Sequence, residues 1–257
     1  MLTALVLIPL VLAGIFLLPP DGLLVLGVGI AFLAGLEWAS LIHISRRYRV
    51  LYALLLAGLT ALLTRGDPLL VAGVALLWWL LVLAELPVFR PQTEEPVFRA
   101  ANGLAGVVIL APPLALLVGQ VQREPWLAVA VLAAIWASDI GAWGVGRWLG
   151  RHRMAPHISP GKTWEGLAGG AVLAGAAGGG LAWGLPAPVA HATATGVAIA
   201  VALVGQVGDM AESMFKRRAG VKDSGTWLPG HGGLLDRIDS LTAAVPVYAV
   251  CLWGLGL

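Results

Sequence analysis

The chain has 257 residues, of which 59% are hydrophobic and 12% charged, about half the ~25% charged content of a soluble domain. A mean hydropathy of +0.88 excludes a soluble globular protein, and no polar block is long enough for a second, soluble domain. The net charge of +2 is small, so where the charges sit matters more than their sum. The expected class is all-α: one polytopic integral membrane domain over residues 1–257, in which 1–100 supply N-terminal helices and 101–257 hold the polar chemistry. Cys251 is the single cysteine and lies in an apolar run, so no intrachain disulfide can form.

Apolar runs bounded by Pro, Gly or charge are set against the ~20 residues needed to cross a bilayer. They predict about nine transmembrane helices near 2–18, 22–42, 50–64, 69–87, 101–119, 125–148, 165–184, 189–213 and 240–256. The first lacks a basic leader and an A-x-A cleavage site, so it reads as a retained membrane helix. The third is short and is expected to tilt or to thin the bilayer. In the seventh, Gly166, Gly170, Ala174 and Gly178 recur every four residues, a stripe that lets helix backbones approach closely. It serves packing inside the fold or a dimer seam. Trp38, Trp126, Trp148 and Trp164 fall near span ends, as interfacial anchors do.

Nine spans put fourteen of the sixteen Lys and Arg residues on the side of the N-terminus and leave Arg65 and Arg123 opposite. Basic loops face the cytoplasm, so the N-terminus is expected inside and the C-terminus outside. No nucleic-acid-binding motif is present; the basic residues line a membrane surface.

Two polar clusters stand out. The first runs from Asp139 through Trp143 and Arg147, at four-residue steps on one helical face, to Ser159-Pro160-Gly161-Lys162-Thr163. A P-loop would need Gly where Pro156 stands and a preceding strand, which is not expected here. What remains is a basic, hydroxyl-bearing turn at a helix start, suited to phosphate. Glu165 reads as a cap of that helix.

The second cluster spans Asp209 to Asp239. Asp209, Glu212, Ser213 and Lys216 lie at offsets of three, four and seven, on one face. A carboxylate in a membrane segment costs roughly 2.5–3.5 kcal/mol, so such a stripe calls for a cation or for the membrane edge. Asp236, Arg237 and Asp239 open the last helix, where acids serve equally as caps. Asp236 follows His231-Gly232-Gly233, whose bare backbone admits a ligand, and it reads as a metal ligand. His231 contacts phosphate or a base, or is only a turn residue. Oxygen donors with few His and no clustered Cys fit Mg²⁺ rather than zinc.

The run Ser213-Met-Phe-Lys216-Arg217, Lys222-Asp223-Ser-Gly225 and Leu228-Pro229-Gly230-His231-Gly232-Gly233-Leu-Leu-Asp236-Arg237-Ile-Asp239 resembles the signature of the CDP-diacylglycerol synthase (phosphatidate cytidylyltransferase) family. The stretch from Asp139 to Gly170 is similar to the same family, with departures at Ile140, Trp143 and Gly161. The resemblance implies transfer of CMP from CTP to phosphatidic acid, with release of pyrophosphate, at the cytoplasmic face of a bacterial inner membrane, among membrane lipids and by a homodimer. On that basis Asp209, Asp223, Asp236, Arg237 and Asp239 are the expected catalytic residues. Ser159, Lys162, Thr163, Ser213, Lys216, Arg217, Lys222 and His231 are expected to bind substrate phosphates. Asp209, Asp236 and Asp239, with Asp139, are expected to hold one or two Mg²⁺ ions, with room for an additional monovalent cation. A CTP-dependent transferase acting on another lipid phosphate fits the same residues. A rival class, an ion-coupled transporter with intramembrane carboxylates at Asp139 and Asp209, predicts polar groups spread across mid-bilayer; here they crowd one face.

The charge asymmetry yields a first test. A reporter fused to the C-terminus is expected to read out as periplasmic, and a cytoplasmic readout would break this topology.

Overall fold

A computed structural model of the chain describes residues 2–89, 96–184, 189–225 and 232–257. Among the described residues the helices are α1 (Leu2–Leu17), α2 (Pro20–Leu41), α3 (Arg46–Leu63), α4 (Pro68–Glu85), α5 (Pro96–Arg123), α6 (Pro125–Leu149), α7 (Trp164–Leu181), α8 (His191–Arg218) and α9 (Leu235–Gly254). Each expected span falls on one of these. Among the described residues five stretches are long and apolar enough to cross a membrane: Pro20–Leu41, Pro68–Glu85, Ala101–Arg123, Pro125–Leu149 and His191–Arg218. Large apolar side chains such as Val25, Leu70, Leu77, Leu81 and Val172 project outward, as they do where lipid replaces water. The chain is an integral membrane protein, and its helices satisfy the backbone polar groups that lipid cannot.

Helix ends follow local chemistry. Asp67 caps α4, its carboxylate accepting from the N–H groups of Leu69 and Leu70 at 2.9 and 3.0 Å, with Pro68 in the first helical position. Thr163 caps α7 by accepting from Gly166 N–H at 3.1 Å. Gly220, at φ +70°, turns the chain after α8, a conformation glycine adopts without strain. Two helices extend further into the polar stretch than hydropathy suggested. α8 runs on through Lys216, Arg217 and Arg218, and α9 already begins at Leu235.

The small-residue stripe of α7 is used within the fold. Gly166 and Gly170 lie against α6 at Ala142 and Ser138, while Gly175 and Gly178 face α8 at Ile199 and Ala198. α6, α7 and α8 therefore pack as neighbours with almost no side-chain spacers, and α8 packs in turn on α9. One apolar core joins Val131, Ile135, Ala174, Val201 and Tyr248; a second, under the polar clusters, joins Trp38, Leu56, Ile109, Met214 and Phe215.

Two expectations are corrected here. Residues 153–163, read as a strandless turn, form an antiparallel hairpin of β1 (Arg153–Ala155) and β2 (Ser159–Thr163) between α6 and α7. Trp38 is no interfacial anchor. It is 1% exposed, donates through Nε1 to the Asn102 carbonyl at 2.9 Å and meets the Phe215 ring edge-on. Trp126, Trp148 and Trp164 are exposed.

The α6–α7 seam supplies a prediction. A Cβ on Gly170 would stand 2.8 Å from the Ser138 carbonyl oxygen, whereas one on Gly180 meets nothing within 4 Å. Gly170→Val is expected to cost about 1–3 kcal/mol as overpacking, read as a lower unfolding midpoint in detergent, with Gly180→Ala leaving the midpoint unchanged.

Candidate active site

The polar residues meet at one end of α6, α8 and α9, beside the hairpin. What allows it is a backbone contact between α8 and α9. A side chain at Gly208 would strike the Asp239 carbonyl oxygen, and Gly205 faces Ser240. With no Cβ in the way, Asp209 and Glu212 of α8 are set against Asp239 and Asp236 of α9. The hairpin adds Lys162, whose Nζ lies 2.6 Å from Asp209 Oδ2 and 3.2 Å from Gln206 Oε1. α6 adds Asp139.

These groups wall a cavity of about 360 Å³ whose lining includes Asp139, Lys162, Asp209, Asp236, Arg237 and Asp239. Thr163 and Trp143 are also on its walls. The Arg147 guanidinium lies 5.6 Å from the centroid of the Trp143 ring, an attraction between cation and ring face, although Arg147 is not itself on the cavity wall.

Asp236 is the most heavily bonded carboxylate. Its Oδ2 accepts from Gly233 N–H at 2.8 Å, Ser224 N–H at 3.1 Å and the Ser224 hydroxyl at 2.9 Å. Its Oδ1 takes Lys216 Nζ at 2.5 Å. The same Nζ is 3.5 Å from Glu212 Oε2. Glu212 is 6% exposed, and neither of its oxygens receives a hydrogen bond among the described residues. Asp239 and Asp236 are the acids whose charge it feels. Lys216 therefore stands between two carboxylates in a site that holds more acid than it can neutralise.

Several expected residues lie elsewhere. Arg217 points its Nε to the Ile158 carbonyl at 3.3 Å and so ties α8 to the hairpin turn. Ser159 pairs with Ala155 in the hairpin. Ser159, Ser213, Arg217, Lys222 and Asp223 are not on the cavity wall, and Lys222 and Asp223 are exposed. His231 falls outside the described residues. Glu165 does not cap α7, a task Thr163 performs. It accepts instead from the N–H groups of Arg151 and His152, at 3.1 and 3.2 Å, and pairs with the His152 ring at 2.6 Å, which pins the start of the hairpin.

One residue of the site was passed over in the sequence. Glu37 of α2 is 3% exposed, and its oxygens accept from the N–H groups of Leu234 and Leu235, each at 2.9 Å. The signal was available: an acid in the middle of an apolar run is as anomalous at position 37 as at 139 or 209.

The donor set suits a hard divalent cation. Among the described residues no three acidic, His or Cys side chains close on one point. Mg²⁺ does not ask for that, since it keeps water and is held by one or two carboxylates together with substrate phosphates. The cavity offers the carboxylates of Asp139, Asp209, Asp236 and Asp239 against the cations of Lys162 and Arg237, so acids outnumber bases on its walls.

Known proteins resemble this chain over most of its length. The sequence model of the Cytidylyltransferase family matches residues 1–255. A protein of Pseudomonas aeruginosa named phosphatidate cytidylyltransferase is 39% identical over 99% of this chain and 96% of its own length. One of the same name from Haemophilus influenzae is 32% identical over 96% of each chain. A third, from Brucella suis, is 38% identical over 74% of this chain and 68% of its own.

The lysine at the centre of the site can be tested directly. Lys216→Met leaves the buried Asp236 and Glu212 without their shared ammonium and is expected to destabilise the protein by about 3–5 kcal/mol. A denaturation midpoint equal to the parent's would remove Lys216 as their counter-charge.

Proposed function

This chain belongs to the cytidylyltransferase family, and on that premise we propose that it transfers CMP from CTP to phosphatidate at the cytoplasmic face of a bacterial inner membrane. The products are CDP-diacylglycerol and pyrophosphate. The observation that carries the reading is the single cavity where Asp139, Asp209, Asp236 and Asp239 meet Lys162 and Arg237 at one end of the helices. Such a place suits the pairing of a lipid with a water-soluble polyanion. The placement of basic residues supports the cytoplasmic side.

A phosphatidate oxygen attacks the α-phosphorus of CTP. The new P–O bond forms as the bond to the bridging oxygen of the β-phosphate breaks, and pyrophosphate leaves with that electron pair. Phosphatidate is a phosphate monoester with a second pKa near ~6, so at pH 7 it is largely dianionic and needs no general base. The protein's work is to bring two anions together and to stabilise charge on the leaving group. Lys162, held by Asp209 and Gln206, and Arg237 on the facing wall supply cationic contacts for the triphosphate.

Asp139, Asp209, Asp236 and Asp239 would hold one or two Mg²⁺ ions, each needing no more than one or two of these carboxylates, which when bound neutralise the triphosphate and the departing pyrophosphate. Lys216 keeps Asp236 in place and limits repulsion from Glu212. The hairpin, fixed by Glu165 and Arg217, carries Lys162 to the cavity. Trp143 and Arg147 stand where a lipid headgroup would approach.

The reading is tested with purified protein in vesicles, labelled CTP and a panel of lipid phosphates. Label is expected in phosphatidate ahead of the other acceptors, and incorporation with no lipid preference, or none with phosphatidate, redirects the assignment. Asp209→Asn is expected to lower kcat by about 100-fold. A kcat equal to the parent's would take Asp209 out of the reaction.

A further inference from the structure

α9 begins without a local cap. Leu234 stands at its N-cap position and its side chain makes no capping hydrogen bond, although Ser, Thr, Asp or Asn is the usual choice there. The unpaired N–H groups of that end are met from 197 residues away in the sequence. Glu37 Oε1 accepts from Leu234 N–H and Oε2 from Leu235 N–H, each at 2.9 Å. The fit is close. A Cβ on Gly233 would lie 2.5 and 2.7 Å from the two Glu37 oxygens, so the chain needs glycine there to let the carboxylate in.

The same carboxylate reaches the active-site aspartate through one shared group. The Ser224 hydroxyl is 2.9 Å from Asp236 Oδ2 and 3.3 Å from Glu37 Oε2. Its single proton serves one acceptor at a time, and the shorter contact is with Asp236. Glu37 and Asp236 thus hold the start of α9 and the loop at Ser224 from two sides. The base of Glu37 is itself rigid: Trp38, the next residue, is bonded to the Asn102 carbonyl at 2.9 Å and wedged on Phe215.

We infer that Glu37 is a positioning residue for the transfer reaction, acting from the N-terminal half of the chain through the first turn of α9. That turn and the next carry Asp236, Arg237 and Asp239, all on the cavity wall, and a shift of the helix start moves the three together. A helix N-terminus is also a ready-made anion seat. Glu37 fills it from within the protein, which leaves Lys162 and Arg237, rather than the N–H groups of α9, to receive substrate phosphate. The inference rests on the cytidylyl-transfer reading of this cavity.

The test uses Glu37→Gln in the full chain, which keeps the volume and turns an –NH₂ group toward a donor. Steady-state transfer from CTP to phosphatidate in vesicles is measured beside hydrogen exchange of the Leu234 and Leu235 amides. The expected result is a kcat about 10- to 100-fold lower, the scale of a lost hydrogen bond to a charged group, with KM for CTP changed by less than about 3-fold because Lys162 is untouched. The two amides exchange at least about tenfold faster, while α8 keeps its protection. Where Glu37→Gln yields no folded protein, Glu37→Asp, which keeps the charge but draws it back from the Leu234 and Leu235 amides, is expected to lower kcat with the same unchanged KM and to speed exchange at both amides. A kcat at the parent's value, or unchanged exchange at both amides, overturns the inference. A parent chain inactive on phosphatidate overturns the activity reading instead, and the exchange measurement still decides whether Glu37 holds the helix.

Discussion

Everything at the polar end of this protein depends on the contact between α8 and α9 at Gly208. There the backbone of one helix touches the Asp239 carbonyl of the other, and no side chain on the first helix fits between them. The contact sets acids from two helices side by side in surroundings that conduct charge poorly. Like charges so placed repel, and in a low-dielectric setting they repel strongly. The structure answers with lysines brought in individually: Lys162 from the hairpin to Asp209, and Lys216 from within α8 to Asp236. Acids still outnumber bases on the cavity wall, where Asp139, Asp209, Asp236 and Asp239 meet Lys162 and Arg237, and this suits the cavity to a cation.

The supporting elements serve that arrangement. Glycines 166 and 170 bring α7 onto α6, which anchors the end of the hairpin where Lys162 sits and keeps Asp139 on the cavity wall. Arg217 and Glu165, charged residues that a reading by composition would send to substrate or solvent, are used to hold the hairpin in place. The site lies at one end of the helices, beside the hairpin and the loops that leave them. Its precision therefore comes from helix packing below and from hydrogen bonds that fix each loop as it leaves a helix.

Much of this was legible in the chain. Hydropathy located the helices because lipid enforces long apolar runs; Asp139 and Asp209 were conspicuous because acids are rare in such runs, and Asp236 and Asp239 because they follow the glycine turn at the start of the last helix. What was not legible depended on contacts made across the fold. Glu37 is noticeable as an acid in an apolar run, but its role is not, because no motif surrounds it and its partners are the backbone N–H groups of residues 234 and 235. Trp38 sits near a helix end, where tryptophan commonly meets the interface, and only the placement of α5 and α8 buries it. The hairpin at 153–163 is short and contains Pro156 and Pro160, so neither alternation nor β-propensity marks it; its strands are held by Glu165 and by the ends of two helices. Arg217 and Lys216 are adjacent in sequence, yet one faces the hairpin and the other the acids, a difference set by their angle around α8.

The central claim is that carboxylates from α6, α8 and α9 wall one site in which divalent cations would bind together with the nucleotide. Mn²⁺ binding in the presence of CTP, followed by electron paramagnetic resonance, tests it most directly when the parent is compared with Asp139→Asn, Asp209→Asn and Asp239→Asn. The account predicts that each substitution, on a different helix, weakens the CTP-dependent Mn²⁺ signal. Unchanged Mn²⁺ affinity in all three would contradict it.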